Sequence, residues 1–178
     1  MRFSKISLPT LFAALFAAAL IGSFAAAEVP AQRSKTIILV RHAEKDMSEA
    51  ADQNDPPLSA EGTERARRLL KIVKRYRPGE VFSTDYSRTR MTVAPIAERR
   101  NVPVQPYDPK QPQALLDKIM ASKTKRFVIA GHSNTIARLA NLIGGKELFK
   151  DLDESEYGTI WLIRLRHGHL KKIEIIPY

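Results

Sequence analysis

The sequence predicts a three-layer α/β domain whose central sheet is mostly parallel and ends in an antiparallel hairpin. Two continuous apolar runs rich in β-branched residues, 36–40 and 126–130, have the character of strands buried on both faces of a sheet. Segments with helical spacing of apolar residues alternate with shorter strand patterns, which favours parallel pairing. Near the end, strand patterns at 159–166 and 170–176 flank a turn, as in a hairpin.

Residues that cap helices and residues that end them mark the elements between these strands. Ser59 can cap a helix that has Glu61 in its first turn and that stops before Pro78-Gly79. In the next helix Pro95 must be tolerated in or near the early turns. The remaining expected elements are short strands at 81–83 and 102–106, helices at 88–99 and 112–120, and a last helix that runs through Ile143 to Gly144-Gly145.

The N-terminal segment has the pattern of a secretory signal. Arg2 and Lys5 precede an apolar stretch at 8–27, and alanines 25–27 are small residues of the kind that a signal peptidase reads, so cleavage is expected before Glu28. An uncleaved membrane anchor is the alternative, because the stretch approaches the length that spans a bilayer.

These patterns divide the chain into a signal peptide at 1–27, a linker at 28–35 and one domain at 36–178, and they predict a periplasmic or secreted protein. Membrane contact is expected only if the signal is retained. The absence of cysteine from the 178 residues excludes disulfides and thiolate metal sites. The formal net charge of +10 favours anionic partners, but no basic stripe is interleaved with aromatic residues as nucleic-acid binding would require. The oligomeric state does not follow from the sequence.

Polar groups suited to binding an anion follow the predicted strands. His42 comes after the first buried strand, beside Arg41, and His132 comes after the second. Arg88 stands at the start of a predicted helix, directly after another strand. Because ligands bind beyond the carboxyl ends of strands in such sheets, these four groups are expected to form a phosphate site.

Four motifs that contain these residues resemble those of the histidine phosphatases, the phosphoglycerate-mutase-like superfamily. Residues 41–45 read Arg-His-Ala-Glu-Lys, similar to the variant of the opening motif in small bacterial phosphatases of the family. Residues 57–62 resemble its Pro-Leu-Ser/Thr-x-x-Gly signature, 83–92 its Ser-x4-Arg-x3-Thr segment and 131–135 its second-histidine motif. The order of the four is that of the family, and they span most of the predicted domain.

The resemblance implies a phosphatase that needs no cofactor or metal ion. His42 would attack phosphorus and form a phosphohistidine that water then hydrolyses. Arg41, Arg88 and His132 would hold the phosphoryl oxygens and offset their charge, so that fixed cations take the place of a metal.

The proton donor to the leaving group is less clear from the motifs. Mutase-like members use a glutamate in the stretch after the arginine helix, and there Asp108 is the candidate by position. Glu44 is the second choice, and good leaving groups need no acid at all. An ordinary turn role for Asp108, before Pro109, is the structural alternative.

The resulting hypothesis is an exported phosphomonoesterase whose partner is a small phosphorylated substrate, either a metabolite or an envelope sugar. A phosphatase for phosphohistidine on proteins and a non-catalytic module that binds phosphorylated ligands are the alternatives. The acidic run at 151–156 is expected to be a solvated loop or a gate that disfavours acidic substrates. A metal site at His167 and His169 is disfavoured, and Trp161 is expected in the core.

Overall fold

The structure, a computed structural model, describes residues 34–178 as one sheet with helices on both faces. The predicted signal peptide, 1–27, and most of the predicted linker, 28–35, lie outside the described residues. The strands are β1 Ser34–Arg41, β2 Glu80–Ser83, β3 Val104–Pro106, β4 Arg126–Gly131, β5 Thr159–Arg166 and β6 His169–Pro177. The helices are α1 Ala60–Val73, α2 Ser87–Arg100, α3 Pro112–Ala121 and α4 Ser133–Gly144. Within this part of the chain no helix is long and apolar enough to cross a membrane.

The sheet has the order β3-β2-β4-β1-β5-β6. The first four strands in that order are parallel, β5 pairs antiparallel with β1, and β6 pairs antiparallel with β5. The predicted fold class, with its mostly parallel sheet and antiparallel C-terminal hairpin, is therefore confirmed.

Alternate residues of β1 enter two separate cores, which explains its continuous apolar sequence. Ile37 and Leu39 pack in a cluster with side chains of α3 and α4, and Trp161 is buried in the same cluster, as predicted. Ile38 and Val40 pack in a second cluster with side chains of α1 and α2. The sheet is thus the middle layer of three.

Three features differ from their predicted positions. β3 begins at Val104, two residues after its predicted start. β1 begins two residues before the predicted strand, because Ser34 and Lys35 already pair with β5. The buried Lys35 ammonium also donates to the carbonyls of Ser122 (2.8 Å) and Thr124 (3.0 Å). Pro95 lies past the middle of α2 and not in its early turns. Val93 and Ile96 beside it are fully buried, and their packing offsets the helical hydrogen bond that proline removes.

The glycine at the end of the 57–62 motif has a packing role. Ser59 caps α1 by accepting a hydrogen bond from the Gly62 amide, as predicted from the sequence. A Cβ on Gly62 would lie 2.1 Å from the Glu44 carbonyl oxygen, which is closer than atoms can approach. Glycine therefore lets the first turn of α1 pack directly on the segment that follows β1, where the candidate site lies.

Candidate active site

Two histidines from neighbouring strands meet at the carboxyl edge of the sheet. Arg41 lies opposite Gly131 in the β1–β4 pairing, so the residues that follow them, His42 and His132, leave the sheet side by side. Their ring centroids are 5.3 Å apart, with an interplanar angle of 66°. The structure thus brings together two rings that are distant in the chain, while their chemical roles stay predictions.

The His42 ring is fixed in one tautomer by a backbone contact. Its Nδ1 lies 2.8 Å from the Ala43 carbonyl oxygen, and a carbonyl can only accept, so Nδ1 carries the proton. The residue is 5% exposed, and its amide donates to the Gly131 carbonyl at 2.8 Å. Nε2 is consequently left with a lone pair, which is the requirement for a nucleophile.

A threonine joins the segment of His42 to the helix that carries Arg88. The Thr92 hydroxyl accepts a hydrogen bond from the Ala43 amide at 2.9 Å and donates to the Arg88 carbonyl at 2.7 Å. Thr92 is fully buried. This double contact gives a physical reason for the threonine at the end of the 83–92 motif, because it sets the spacing between the nucleophile and α2.

Arg88 lies at the start of α2 with a buried donor that has no partner among the described residues. Its side chain is 16% exposed, and its guanidinium lies 4.5 Å from the centroid of the Tyr86 ring. The Nε atom is buried and has no hydrogen-bond partner among the described residues. Asp55 lies 3.8 Å from the guanidinium and accepts hydrogen bonds from the amide (2.8 Å) and hydroxyl (2.7 Å) of Ser87, so it anchors the first turn of α2.

Arg41 is committed to the loop that follows α4. Its side chain is 3% exposed, and Nη1 donates to the carbonyls of Asp153 (2.7 Å) and Glu156 (3.0 Å). Nη2 donates to the Glu154 carboxylate at 2.8 Å, and the guanidinium lies 4.3 Å from the Tyr157 ring centroid. The sequence predicts paired arginine donors for a phosphate, but the structure uses both terminal nitrogens to hold this loop. Only Nε is left as a buried donor without a partner in the described part of the chain.

The acidic loop therefore lies against the site and is more than a solvated segment. Glu154 bridges Arg41 and the Ser133 hydroxyl, which is 2.9 Å from its second carboxylate oxygen. The hydrogen bond from Ser133 and the charge of Arg41 hold the pKa of Glu154 below its usual range. The Glu154 side chain is 80% exposed, so its carboxylate is on the solvent side of the site. There it neutralises the charge of the buried Arg41.

A hydroxyl from the end of β2 orients the second histidine. The Thr84 Oγ1 lies 3.0 Å from Nε2 of His132 and 3.0 Å from the Thr89 hydroxyl. The Tyr86 ring stands perpendicular to the His132 ring, with 5.1 Å between centroids. These contacts fix the orientation of the His132 ring beside His42, with its Nε2 engaged by the Thr84 hydroxyl.

Both histidines are neutral at physiological pH. Burial lowers the pKa of His42 from 6.5 to about 3, and the nearby positive charges of His132, Arg88 and Arg41 add to the effect against the opposing Ala43 carbonyl. Burial and the same two arginines lower the pKa of His132 to about 4, against the opposing charge of Glu154. A neutral ring at position 42 keeps its Nε2 lone pair available over the whole physiological range.

We expect the His42 ring to stay neutral in the folded protein from pH 8 down to about pH 4. Because the unfolded ring binds its proton near pH 6.5 and the folded ring only near pH 3, the native state loses stability relative to the unfolded state as the pH falls through this window. Imidazole ¹⁵N chemical shifts, recorded against pH, measure this directly. The chain in concentrated urea is the control and should titrate near pH 6.5. A midpoint near 6.5 in the folded protein would contradict the burial argument.

Three solved structures with the same fold are phosphatases that differ in their substrates. A mycobacterial glucosyl-3-phosphoglycerate phosphatase has a TM-score of 0.63 and 14% identity, over 82% of this chain and 99% of its own. The protein histidine phosphatase SixA, solved with tungstate, has a TM-score of 0.64 and 14% identity, over 80% of this chain and 96% of its own. A mutant phosphoserine phosphatase from Entamoeba histolytica, in complex with phosphoserine, has a TM-score of 0.61 and 16% identity, over 78% and 96%. At these identities the likeness establishes the shared fold.

The sequence itself matches a family model. Residues 37–109 match the model of the histidine phosphatase superfamily (branch 1). The matched range contains three of the four motifs, and the structure adds the fourth by placing His132 beside His42. The sequence match and the shared fold both support the histidine phosphatase superfamily for this chain. Among curated proteins, no sequence matches it.

Neither candidate proton donor in this site is a free acid. The exposed Asp108 carboxylate accepts hydrogen bonds from the Lys110 amide (2.8 Å) and the Gln111 side chain (3.2 Å), so it stabilises the turn before α3. Glu44 accepts hydrogen bonds from Nε of Arg65 at 2.6 and 2.8 Å. Although partial burial favours its protonated form, these bonds hold the pKa of Glu44 below its usual range. The geometry favours the structural role for each, and the role of Asp108 as proton donor stays a prediction.

Sequence reasoning missed several residues that shape the phosphatase site. Asp55 accepts hydrogen bonds from Ser87, the residue before Arg88, and Thr84 contacts His132. Tyr86 and Tyr157 lie against the two arginines. The Ser-x4-Arg-x3-Thr segment contained a signal for Thr84 and Tyr86, since both lie inside it. No local signal existed for Asp55 or Tyr157, whose contacts depend on how distant loops fold together.

The hairpin histidines lie away from these groups. His167 is in the exposed turn between β5 and β6 with a positive φ of 53°, and His169 is exposed at the start of β6. Across residues 34–178, no group of three or more His, Asp or Glu side chains is placed to hold a metal ion.

Proposed function

We propose that the chain is a phosphomonoesterase that works through a phosphohistidine on His42. One observation carries the proposal: a neutral imidazole, with its lone pair at Nε2, lies beside a second imidazole and two buried guanidinium donors that lack partners among the described residues. The oxygens of a phosphoryl dianion can accept charge-assisted hydrogen bonds from these guanidinium donors. The phosphatases that share the fold support the same class of reaction.

The reaction runs in two steps on the residues present. In the first, the Nε2 lone pair of His42 forms a bond to phosphorus, while the bond to the leaving oxygen breaks and its electron pair stays on that oxygen, which then takes a proton. In the second, water attacks the phosphorus, the P–N bond breaks, and its electron pair returns to Nε2. The attacking water releases one proton to solvent, which replaces the solvent proton that the leaving oxygen took up in the first step. The products are the alcohol and inorganic phosphate, and the ring again carries one proton, on Nδ1.

The cations of the site perform the role that a metal has in other phosphatases. Phosphoryl transfer depends mainly on positioning and on neutralising charge at the phosphoryl oxygens. Arg88 and the Nε donor of Arg41 are fixed before substrate arrives, because Tyr86, Asp55 and the 153–157 loop hold them. Preorganised donors of this kind need no rearrangement during the reaction. We therefore propose that the enzyme is metal-independent.

A phosphate-release screen on the full chain tests this function. The panel contains sugar phosphates, phosphoserine and a phosphohistidine peptide, each assayed with and without EDTA. We expect release from at least one phosphomonoester, at a rate that the chelator does not change. Faster release from the phosphohistidine peptide than from every ester would favour the protein-phosphatase alternative. Binding of these ligands without any release would favour the non-catalytic module.

We also propose that the enzyme acts outside the cytoplasm, on a phosphorylated metabolite or an envelope sugar. The support is the sequence of residues 1–27, with two cations, an apolar stretch and three alanines before Glu28. N-terminal sequencing of protein from the periplasm or medium should begin at or near Glu28. Protein that begins at Met1 and stays with the membrane would favour the anchor instead.

A further inference from the structure

A cavity lies beside Arg88 of α2 and His132, the residue before α4. Its volume is about 430 Å³, and its walls include Arg88, His132, Lys110 and Arg138. A volume of this order accommodates a small metabolite and exceeds what one phosphate needs. The cavity therefore has room for the part of a substrate that follows the phosphoryl group.

The charge of this cavity is unbalanced. Three cationic side chains, Arg88, Lys110 and Arg138, line it, and no Asp or Glu does within the described residues. Lys110 makes no ion pair with any residue of 34–178, and Arg138 has only a loose contact with Asp151, at 3.9 Å between two exposed side chains. A phosphoryl group on His42 would neutralise Arg88 but leave Lys110 and Arg138 without an anionic partner inside the cavity.

Arg138 and Lys110 come to the cavity from different elements. Arg138 follows His132 by six residues on α4, which corresponds to about 9 Å along the helix axis at the usual rise per residue. Side chains of a helix lean toward its N-terminus, so the guanidinium can reach back toward the cavity. Lys110 approaches from the loop between β3 and α3. The Tyr86 ring, 40% exposed, also lines the cavity beside Arg88 and His132 and offers a flat face to a sugar or a short carbon skeleton.

We infer that Lys110 and Arg138 form a second anion subsite, and that the preferred substrate is a phosphomonoester with a second phosphate or carboxylate about one sugar ring away. The inference rests on the proposed function, since it places the first phosphate at His42. It adds the class of substrate, which the catalytic residues alone do not specify. Charge-assisted hydrogen bonds from a lysine and an arginine to one anionic group give the subsite its selectivity.

The test compares glucose 6-phosphate with glucose 1,6-bisphosphate, which differ by one phosphate. The wild type should have a kcat/KM for the bisphosphate about tenfold or more above that for the monophosphate, the factor expected from one well-made charged contact. The double variant Lys110→Gln/Arg138→Gln should lose most of this preference through a higher KM for the bisphosphate. Its kcat/KM for the monophosphate should fall far less, because the catalytic end is intact.

A matched control removes the same charge elsewhere. Lys71 in α1 and Arg99 in α2 are both exposed, and Lys71→Gln/Arg99→Gln should keep the preference for the bisphosphate. An equal preference in the wild type and the Lys110/Arg138 variant, or an equal loss in the control, would overturn the subsite. If the wild type hydrolyses neither of these esters nor any ester of the phosphate-release screen, the proposed function fails on its own. Calorimetric titration of the same two esters into the same variants then decides the subsite by affinity.

Discussion

His42→Ala is expected to abolish phosphate release, with a loss in kcat on the order of 10⁴-fold or more, as in other enzymes that lose a covalent nucleophile. The methyl group cannot form the bond to phosphorus, and the neighbouring His132 ring has its Nε2 engaged by the Thr84 hydroxyl. Release from the best ester of the screen measures the effect. His169→Ala, which changes an exposed histidine of β6, is the control and should keep full activity.

The loss in His42→Ala must come from chemistry and not from unfolding. The backbone contact from the amide of residue 42 to the Gly131 carbonyl does not depend on the side chain, so the sheet edge should persist. The variant should therefore keep the far-UV circular dichroism spectrum of the wild type and still bind phosphate through the two arginines. A folded variant that retains most of its activity would show that another residue is the nucleophile.

Arg88→Ala is expected to cost about 3 kcal/mol in kcat/KM, roughly two orders of magnitude. The substitution removes a fixed cation whose buried Nε has no other partner among the described residues, so the phosphoryl oxygens lose their main donor at the α2 side. Steady-state kinetics and the inhibition constant of inorganic phosphate both measure the effect.

The control for Arg88→Ala lies in the same helix. Arg99→Ala removes an equal charge from the exposed last turn of α2 and should change kcat/KM little. The Asp55 contacts to Ser87 hold the first turn of α2 in either variant. An unchanged kcat/KM in Arg88→Ala would remove this arginine from the phosphate site and would leave Arg41 as the only fixed guanidinium there.

Most of the fold could be predicted from the sequence, because its signals are local. The buried strands β1 and β4 appear as continuous β-branched runs, and the cap of α1 appears as Ser59 three residues before Gly62. The positions of His42 and His132 at strand ends then place them at one edge of a parallel sheet. What the strand patterns do not contain is the strand order, which sets β1 beside β4 and so brings the two rings within contact.

The parts of the site that the sequence did not predict depend on contacts between distant loops. Nothing near Arg41 in the chain indicates that its terminal nitrogens hold the 153–157 loop, since each partner is more than a hundred residues away. Two of these partners are backbone carbonyls, and any residue type has a carbonyl, so the sequence does not indicate which ones Arg41 will contact. Glu154 has the same difficulty, because an exposed acidic residue in a polar loop has many possible positions and only the folded chain selects one.

Trapping the phosphorylated enzyme tests the central claim most directly. The wild type is mixed with the best phosphomonoester, quenched within a single turnover under alkaline conditions and digested for mass spectrometry. The account predicts one phosphoryl group on the peptide that contains His42, with fragment ions that assign it to the imidazole, and its loss when the same sample is acidified. Turnover with the phosphoryl group on a different residue, or with an acid-stable phosphoester in its place, would contradict the claim that His42 attacks phosphorus.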